Sequence, residues 1–206
     1  MPTLLHIDSS PLESSVTREL TREFVKTWQN IHPDGKLIYR DLAANAPQPI
    51  DTAWIHSVFT PEASRTPEQK ATVAPSDRLI GELQQADEYV IGVAMHNFSI
   101  PSVLKLWIDQ VVRKGVTFNY DASGPQGLLL GKKATILAAT GGLYGPGTPA
   151  ASLNFIDPYL KAVLGFIGIS DVKFVTAGGA TQLATGAVER EAFLKPVLEQ
   201  VRTIAA

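Results

Sequence analysis

Tyr89-Val90-Ile91-Gly92-Val93-Ala94-Met95 is a near-continuous apolar run that stops abruptly at His96-Asn97-Phe98, and its reading decides the fold. A strand that alternates apolar and polar residues has one wet face. A run without alternation and rich in β-branched residues is covered on both faces, as in the middle of a parallel sheet. The next segment of the chain supports that reading. From Pro101, Leu104, Trp107, Ile108, Val111 and Val112 recur in helical register up to Arg113-Lys114 and a terminating Gly115.

Outward from this centre the same alternation repeats. Thr3 to Asp8 is a short buried strand ending at Ser9-Ser10-Pro11. From Thr17, Leu20, Phe24, Trp28 and Ile31 mark a helix that Pro33-Asp34-Gly35 stops, and Lys36 to Arg40 reads as the second strand. Residues 43–75 carry five prolines and little periodicity and read as an insert. Within it Thr66-Pro67-Glu68-Gln69 has the form of a capping box with proline at the first helical position, so a helix starts there. Pro75 is expected to break or bend it before Leu79, Ile80 and Leu83 continue on one side. Downstream, Ala134 to Ala139 is a buried strand stopped by Gly141-Gly142. Helices are predicted over 155–167 and 188–204, and the last strand over Val172 to Val175. Val116 to Tyr120 and Leu128 to Leu130 are expected to pair as a small excursion from the main sheet.

These βα repeats predict an α/β three-layer sandwich with a five-stranded parallel sheet and right-handed crossovers. Five strands suit the flavodoxin-like order 2-1-3-4-5, and residues 1–206 read as one domain. In this architecture ligands bind outside the carboxyl ends of the strands, so the loops after strands one, three and four matter most.

Bulk properties narrow the function. A chain of 206 residues, 45% hydrophobic, can bury a core unaided. Its 18 basic and 20 acidic residues leave a net charge of −2, which offers no electrostatic footprint for nucleic acid or an anionic membrane. The chain has no cysteine, hence no disulfide, thiolate nucleophile or thiol-held metal. Asp8 interrupts the first apolar run, so no signal peptide is expected. No stretch approaches the roughly 18 apolar residues of a membrane span. A cytoplasmic protein acting on small molecules is the expectation.

The loops carry the chemistry. Ser9, Ser10, Ser14, Ser15 and Thr17 precede a helix N-terminus, where hydroxyls, free backbone N–H groups and the helix dipole favour a phosphate. The plain alternative is capping and turn formation. Neither G-x-x-x-x-G-K-[ST] nor G-x-G-x-x-G occurs in this loop, which disfavours nucleoside triphosphate chemistry. Gly145-Pro146-Gly147-Thr148-Pro149-Ala150 formally matches G-x-G-x-x-A, but its prolines remove N–H donors and no acidic partner follows. After the third strand, Asn97 can donate and accept toward a planar ligand beside Phe98. After the fourth, Gly141-Gly142 permits close backbone approach. His96 reads more readily as a pocket wall than as a general acid, because no carboxylate partner is in view. His6, His32 and His56 show no metal-ligand spacing, and no G-x-S-x-G elbow occurs.

Taken together, these stretches resemble the FMN-dependent NADH azoreductases, which are also quinone reductases, over essentially the full length. The residues carrying the resemblance are Ser9-Ser10 with Ser15-Val16-Thr17, Arg40-Asp41-Leu42-Ala43-Ala44-Asn45, Met95-His96-Asn97-Phe98, Gly115-Val116-Thr117-Phe118, Gly141-Gly142, and Leu164-Gly165-Phe166-Ile167-Gly168-Ile169 with Asp171-Val172-Lys173-Phe174. The resemblance implies a homodimer with two FMN sites and ping-pong hydride transfer through flavin N5, from NADH or NADPH to a quinone or azo compound. It implies that Ser10, Ser15, Val16 and Thr17 contact the FMN phosphate. Met95, His96, Asn97, Phe98, Ala139, Thr140, Gly141 and Gly142 would surround the isoalloxazine. Phe118, Tyr120 and Tyr144 would line the substrate pocket, Tyr120 from the other subunit, and flavin would carry the chemistry with no catalytic side chain and no metal. This chain departs from the family pattern at His96, where Tyr is common, and at Ala139-Thr140, Tyr144 and Val163. The rival readings are a flavodoxin-type single-electron carrier, which near-neutral charge disfavours, and a regulatory module with a vestigial nucleotide site.

Overall fold

A computed structural model describes residues 1–206. Its main sheet has five parallel strands in the order β2-β1-β3-β6-β7. They are β1 (Thr3–Asp8), β2 (Lys36–Asp41), β3 (Glu88–Ala94), β6 (Lys133–Thr140) and β7 (Asp171–Gly178). The hairpin β4 (Phe118–Asp121) and β5 (Gly124–Gly127) stands outside this sheet. Counting only the main-sheet strands, the expected order 2-1-3-4-5 is the one observed.

Alternate residues of the central strands feed two cores. Leu4, Val90 and Leu137 pack under helices α1 (Val16–Ile31) and α7 (Arg190–Ala205), against Leu20, Phe24, Trp28, Leu194 and Val201. Leu5, Ile7, Ile91 and Ile136 face the opposite side. There they meet Leu79 and Leu83 of α3 (Pro67–Gln85), Leu104 and Trp107 of α4 (Ser102–Val111), and Leu160 and Leu164 of α5 (Asp157–Phe166). Burial on both faces is why β1 and β3 lack polar alternation.

The insert is more regular than its composition suggests. It contains helix α2 (Thr52–Phe59), whose N-cap Asp51 accepts a hydrogen bond from the Trp54 amide at 2.7 Å. Trp54 Nε1 donates to Gln110 Oε1 at 2.9 Å, and Gln110 Nε2 donates to the Gln48 carbonyl at 2.8 Å. One buried amide thus fastens both ends of the 48–54 segment to α4. The Thr66–Gln69 capping box forms as expected. Pro75 does not end α3, which runs unbroken through it. The turn after Pro75 is pinned, because Ser76 Oγ donates to the Gln110 carbonyl while Leu79, Ile80 and Leu83 are buried.

The excursion forms, but with a different second strand. Gly124–Gly127, not Leu128–Leu130, pairs with Phe118–Asp121. The Asp121 carboxylate accepts from the Ser123 amide and hydroxyl, so the chain reverses over two residues and pairs at once. Leu129 then leaves the hairpin for the core, where its amide donates to the Ile167 carbonyl at 2.9 Å. A Gly-Pro-Gln-Gly strand carries no β-propensity signal. The hairpin is docked by backbone against backbone, since a Cβ on Gly127 would lie 2.1 Å from the Gly168 nitrogen. No helix is long and apolar enough to cross a membrane.

Gly127→Ala is expected to lower unfolding stability by about 1–3 kcal/mol through overpacking, read as a reduced urea midpoint. An unchanged midpoint would contradict this docking.

Candidate functional site

Three strand ends and one short helix enclose a crevice of about 290 Å³. Its first wall is the turn from β1 into α1. Ser9 is consumed, since its buried Oγ donates to the Gly92 carbonyl at 2.6 Å and ties β1 to β3. Ser15 occupies the N-cap of α1, but its side chain makes no capping bond. Its Oγ instead shares a hydrogen bond with Thr17 Oγ1 at 2.9 Å. The amides of Val16 and Thr17 find no backbone acceptor. An open helix N-terminus flanked by hydroxyls is a ready anion seat.

The second wall follows β3. The His96 amide donates to the Ser99 carbonyl at 2.9 Å, and the Ser99 amide returns a bond to the His96 carbonyl at 3.1 Å. The two residues between them, Asn97 (φ 49°) and Phe98 (φ 71°), are both left-handed. Asn tolerates this conformation; a phenylalanine there costs about 1–2 kcal/mol. The Phe98 carbonyl accepts from the Phe155 amide at 3.1 Å, and its ring meets Tyr144 edge-on at 6.2 Å between centroids.

The third wall follows β6. The Thr140 carbonyl accepts from the Ala180 amide at 2.9 Å, Gly141 from Thr181 at 3.1 Å and Gly142 from Gly179 at 3.0 Å. Thr140 Oγ1 donates to Gly142 as well, at 2.8 Å. The carbonyls are all consumed by the loop after β7, whereas the amides of Gly141 and Gly142 have no acceptor within the chain. The turn therefore offers the crevice donors.

The structure brings Ser10, Ser15, Val16, His96, Ala139, Thr140 and Gly141 together around the crevice. Thr17 is fully buried behind Ser15, and Met95 is half-buried behind His96, its amide bonded to the Ala139 carbonyl. Asn97, Phe98, Gly142 and Tyr144 lie outside the enclosed space, with Asn97 and Phe98 exposed. Phe118 and Tyr120 are not among its walls. They sit on the hairpin, where Phe118 packs 4.5 Å from the Phe166 ring and Tyr120 is exposed. Pro11, Leu12, Ser14, Ala94, Ala180, Leu183 and Ala184 complete the crevice, and of these only Ser14 is marked by the sequence as a ligand-side residue. The last three belong to or adjoin α6 (Thr181–Ala184), a single turn after β7. The rule that ligands gather at strand ends applies to β7 too, and would have pointed there. A larger cavity of about 580 Å³ lies beside the insert, between Arg40, Trp54 and Gln110, away from the hydroxyl turn. No group of three or more His, Asp or Glu is gathered as a metal site.

Beneath the first wall lies a buried ion network. Arg18 pairs with Asp41 at 2.8 Å and Asp8 at 3.4 Å. Burial works against ionisation of Asp8, but the His6 ring at 3.3 Å and the hydrogen bonds from Thr21 and Tyr39 outweigh it and hold the carboxyl below its usual range. At Asp41 burial is likewise outweighed, by Arg18 and by the amides of Ala43 and Ala44. Tyr39 is pushed up by burial and by the neighbouring Asp8 charge.

The sheet order, the open helix N-terminus and the crevice across three strand ends define a flavodoxin-like α/β protein. Residues 2–202 match the family model described as flavodoxin-like fold. An FMN-dependent NADH:quinone oxidoreductase of Acidobacterium capsulatum is 63% identical over 206 residues, covering 100% of both chains. The FMN-dependent NADH:quinone oxidoreductase 3 of Burkholderia lata is 45% identical over 204 residues, covering 98% of this chain and 99% of the other. Among solved structures, an azoreductase from Bacillus anthracis superposes with a TM-score of 0.87 at 28% identity, covering 100% of this chain and 99% of the other. An FMN-dependent NADH-azoreductase of the same species, solved in complex with FMN, gives 0.87 at 25% identity, covering 100% and 98%. The chain belongs to the family of FMN-dependent NADH:quinone oxidoreductases.

Phe98→Gly relieves the left-handed strain at small loss of burial and is expected to raise the urea midpoint, by about 1 kcal/mol of stability. A lowered midpoint would contradict the strain. Because Asp8 and Asp41 have folded-state pKa values below their unfolded ones, the stability they contribute is complete above about pH 4 and is lost as pH falls through the folded values. Asp41→Asn should therefore shrink the stability difference between about pH 7 and about pH 3, measured by urea unfolding; an unaltered difference would count against the pair.

Proposed function

We propose that this chain binds FMN in the strand-end crevice and uses NADH to reduce quinones and azo compounds. The observation that carries the proposal is the pairing of an uncapped α1 N-terminus with a donor-only Gly141-Gly142 turn across the end of β3. One wall suits a phosphate; the other suits the acceptor-bearing edge of a flat ring. That donor set fits the group. Ser10, Ser15 and Val16 would hold the phosphate directly, with Thr17 orienting the Ser15 hydroxyl from behind. His96, Ala139, Thr140 and Gly141 would line the ring, with Met95 backing it and Asn97, Phe98 and Gly142 at its margin.

When bound, FMN supplies hydride chemistry through N5 that no side chain of this chain provides. The chain's residues position and shield. Consumption of the Thr140, Gly141 and Gly142 carbonyls keeps lone pairs away from an electron-rich ring, while the two free amides favour charge that accumulates on its edge. His96 forms part of the wall, and no other ionisable group of the crevice is placed to exchange a proton with a bound ring. Phe98 and Tyr144 form an aromatic margin beside which a flat donor and then a flat acceptor can lie in turn, which supports a ping-pong order.

A homodimer completes the proposal. Phe59, Tyr120 and Leu130 are each more than half exposed, and apolar residues left so open favour cover by a second copy. Tyr120, standing clear of its own crevice, would then reach the partner's. The protein would act in the cytoplasm as one folded unit over 1–206 with its insert at 43–75. The single-electron carrier is the weaker reading, because the relatives are named as NADH:quinone oxidoreductases.

Anaerobic addition of NADH to the FMN-loaded protein is expected to bleach the flavin absorbance, and a quinone should restore it. Failure to bleach with either NADH or NADPH would overturn the enzymatic reading. Retention of bleaching without reoxidation by quinones or azo dyes would overturn the acceptor class.

A further inference from the structure

Arg18 is a charged residue only 7% exposed, and the proposed function gives it no part in the site. Its guanidinium donates twice to one carbonyl, that of Ser10, from Nε at 3.0 Å and from Nη2 at 2.7 Å. The same fork reaches the Asp41 carboxylate at 2.8 Å, the Tyr39 hydroxyl at 3.1 Å and Asp8 at 3.4 Å. Those anchors are themselves fixed. Asp41 Oδ1 accepts from the amides of Ala43 and Ala44 at 3.0 and 3.1 Å, and Asp8 Oδ1 accepts from the Thr21 hydroxyl at 2.9 Å. Arg18 is absent from the crevice walls and lines a separate cleft with Arg22 and Asp41. It holds the turn without facing the crevice.

The chemistry of the bonded peptide says what this is for. The Ser10 carbonyl precedes Pro11, so that peptide has no N–H and its only polar group is an acceptor. An oxygen free to turn into the crevice would repel an anion at the α1 N-terminus. Two charge-assisted bonds draw it to the far side and keep the turn open. Lysine carries a single point of charge and lacks the planar fork that spans carbonyl and carboxylate together.

We propose that Arg18 is a positioning residue that makes this site selective for the phosphorylated flavin: by withdrawing the Ser10 carbonyl, it confers tight binding of FMN over riboflavin. The proposal rests on the assignment of FMN to the crevice. The full chain, freed of flavin by dialysis, is titrated with FMN and with riboflavin by fluorescence quenching, alongside Arg18→Lys, Arg18→Met and Asp41→Asn. The Arg18 variants are expected to weaken FMN binding about 10- to 100-fold and riboflavin binding hardly at all, with Asp41→Asn intermediate. An equal loss for both flavins, or none for FMN, overturns the proposal. Should the Arg18 variants lose their folded circular dichroism, Asp41→Asn decides by the same ratio. Absence of FMN binding by the unaltered chain would instead overturn the FMN assignment itself.

Discussion

A parallel sheet delivers all its strand ends to one edge, and the backbone there must dispose of carbonyl oxygens if the edge is to receive an anion. The Ser10 oxygen is taken by the Arg18 guanidinium, and those of Thr140, Gly141 and Gly142 by the loop after β7. The Ser99 and Phe155 amides take those of His96 and Phe98. The amides of Val16, Thr17, Gly141 and Gly142 have no such partners. A site made of donors is thus obtained without a lysine or arginine among its walls, which fits the nearly balanced charge of the chain.

The same requirement explains where strain is tolerated. The chain must reverse at the end of β3 without giving up the central strand's hydrogen bonds, and two left-handed residues accomplish this. Glycine would do so at less conformational cost, but would leave nothing beside the crevice. Asn97 and Phe98 place an amide and a ring there instead. The turn is over-determined by the His96–Ser99 bonds on one side and by Phe155 on the other.

Sheet order and layers were legible in the sequence because two-sided burial writes itself as uninterrupted apolar runs, as in 89–95. The hydroxyl turn and the Gly141-Gly142 turn were legible because position after a strand adds meaning to otherwise common residues. What escaped did so for physical reasons. Helix α2 is only eight residues long and sits among prolines, so its periodicity is brief and its fastening by Gln110 is non-local. Strand β5 consists of residues with poor strand propensity and exists through the Asp121 turn and its docking. The α6 wall contributes Ala180, Leu183 and Ala184, whose small apolar side chains carry no chemical signature. Arg18 was hidden differently, since a basic residue in the first turn of a helix reads as a surface charge until its three anchors are seen.

The hairpin is held to the end of α5 by the approach of Gly127 to Gly168, main chain to main chain. A mount of that kind is indifferent to what is displayed on it. Tyr120 stands clear of that approach and is exposed, so a residue of other size or polarity there would leave the fastening in place. What the hairpin displays and what holds it are thus free to change separately.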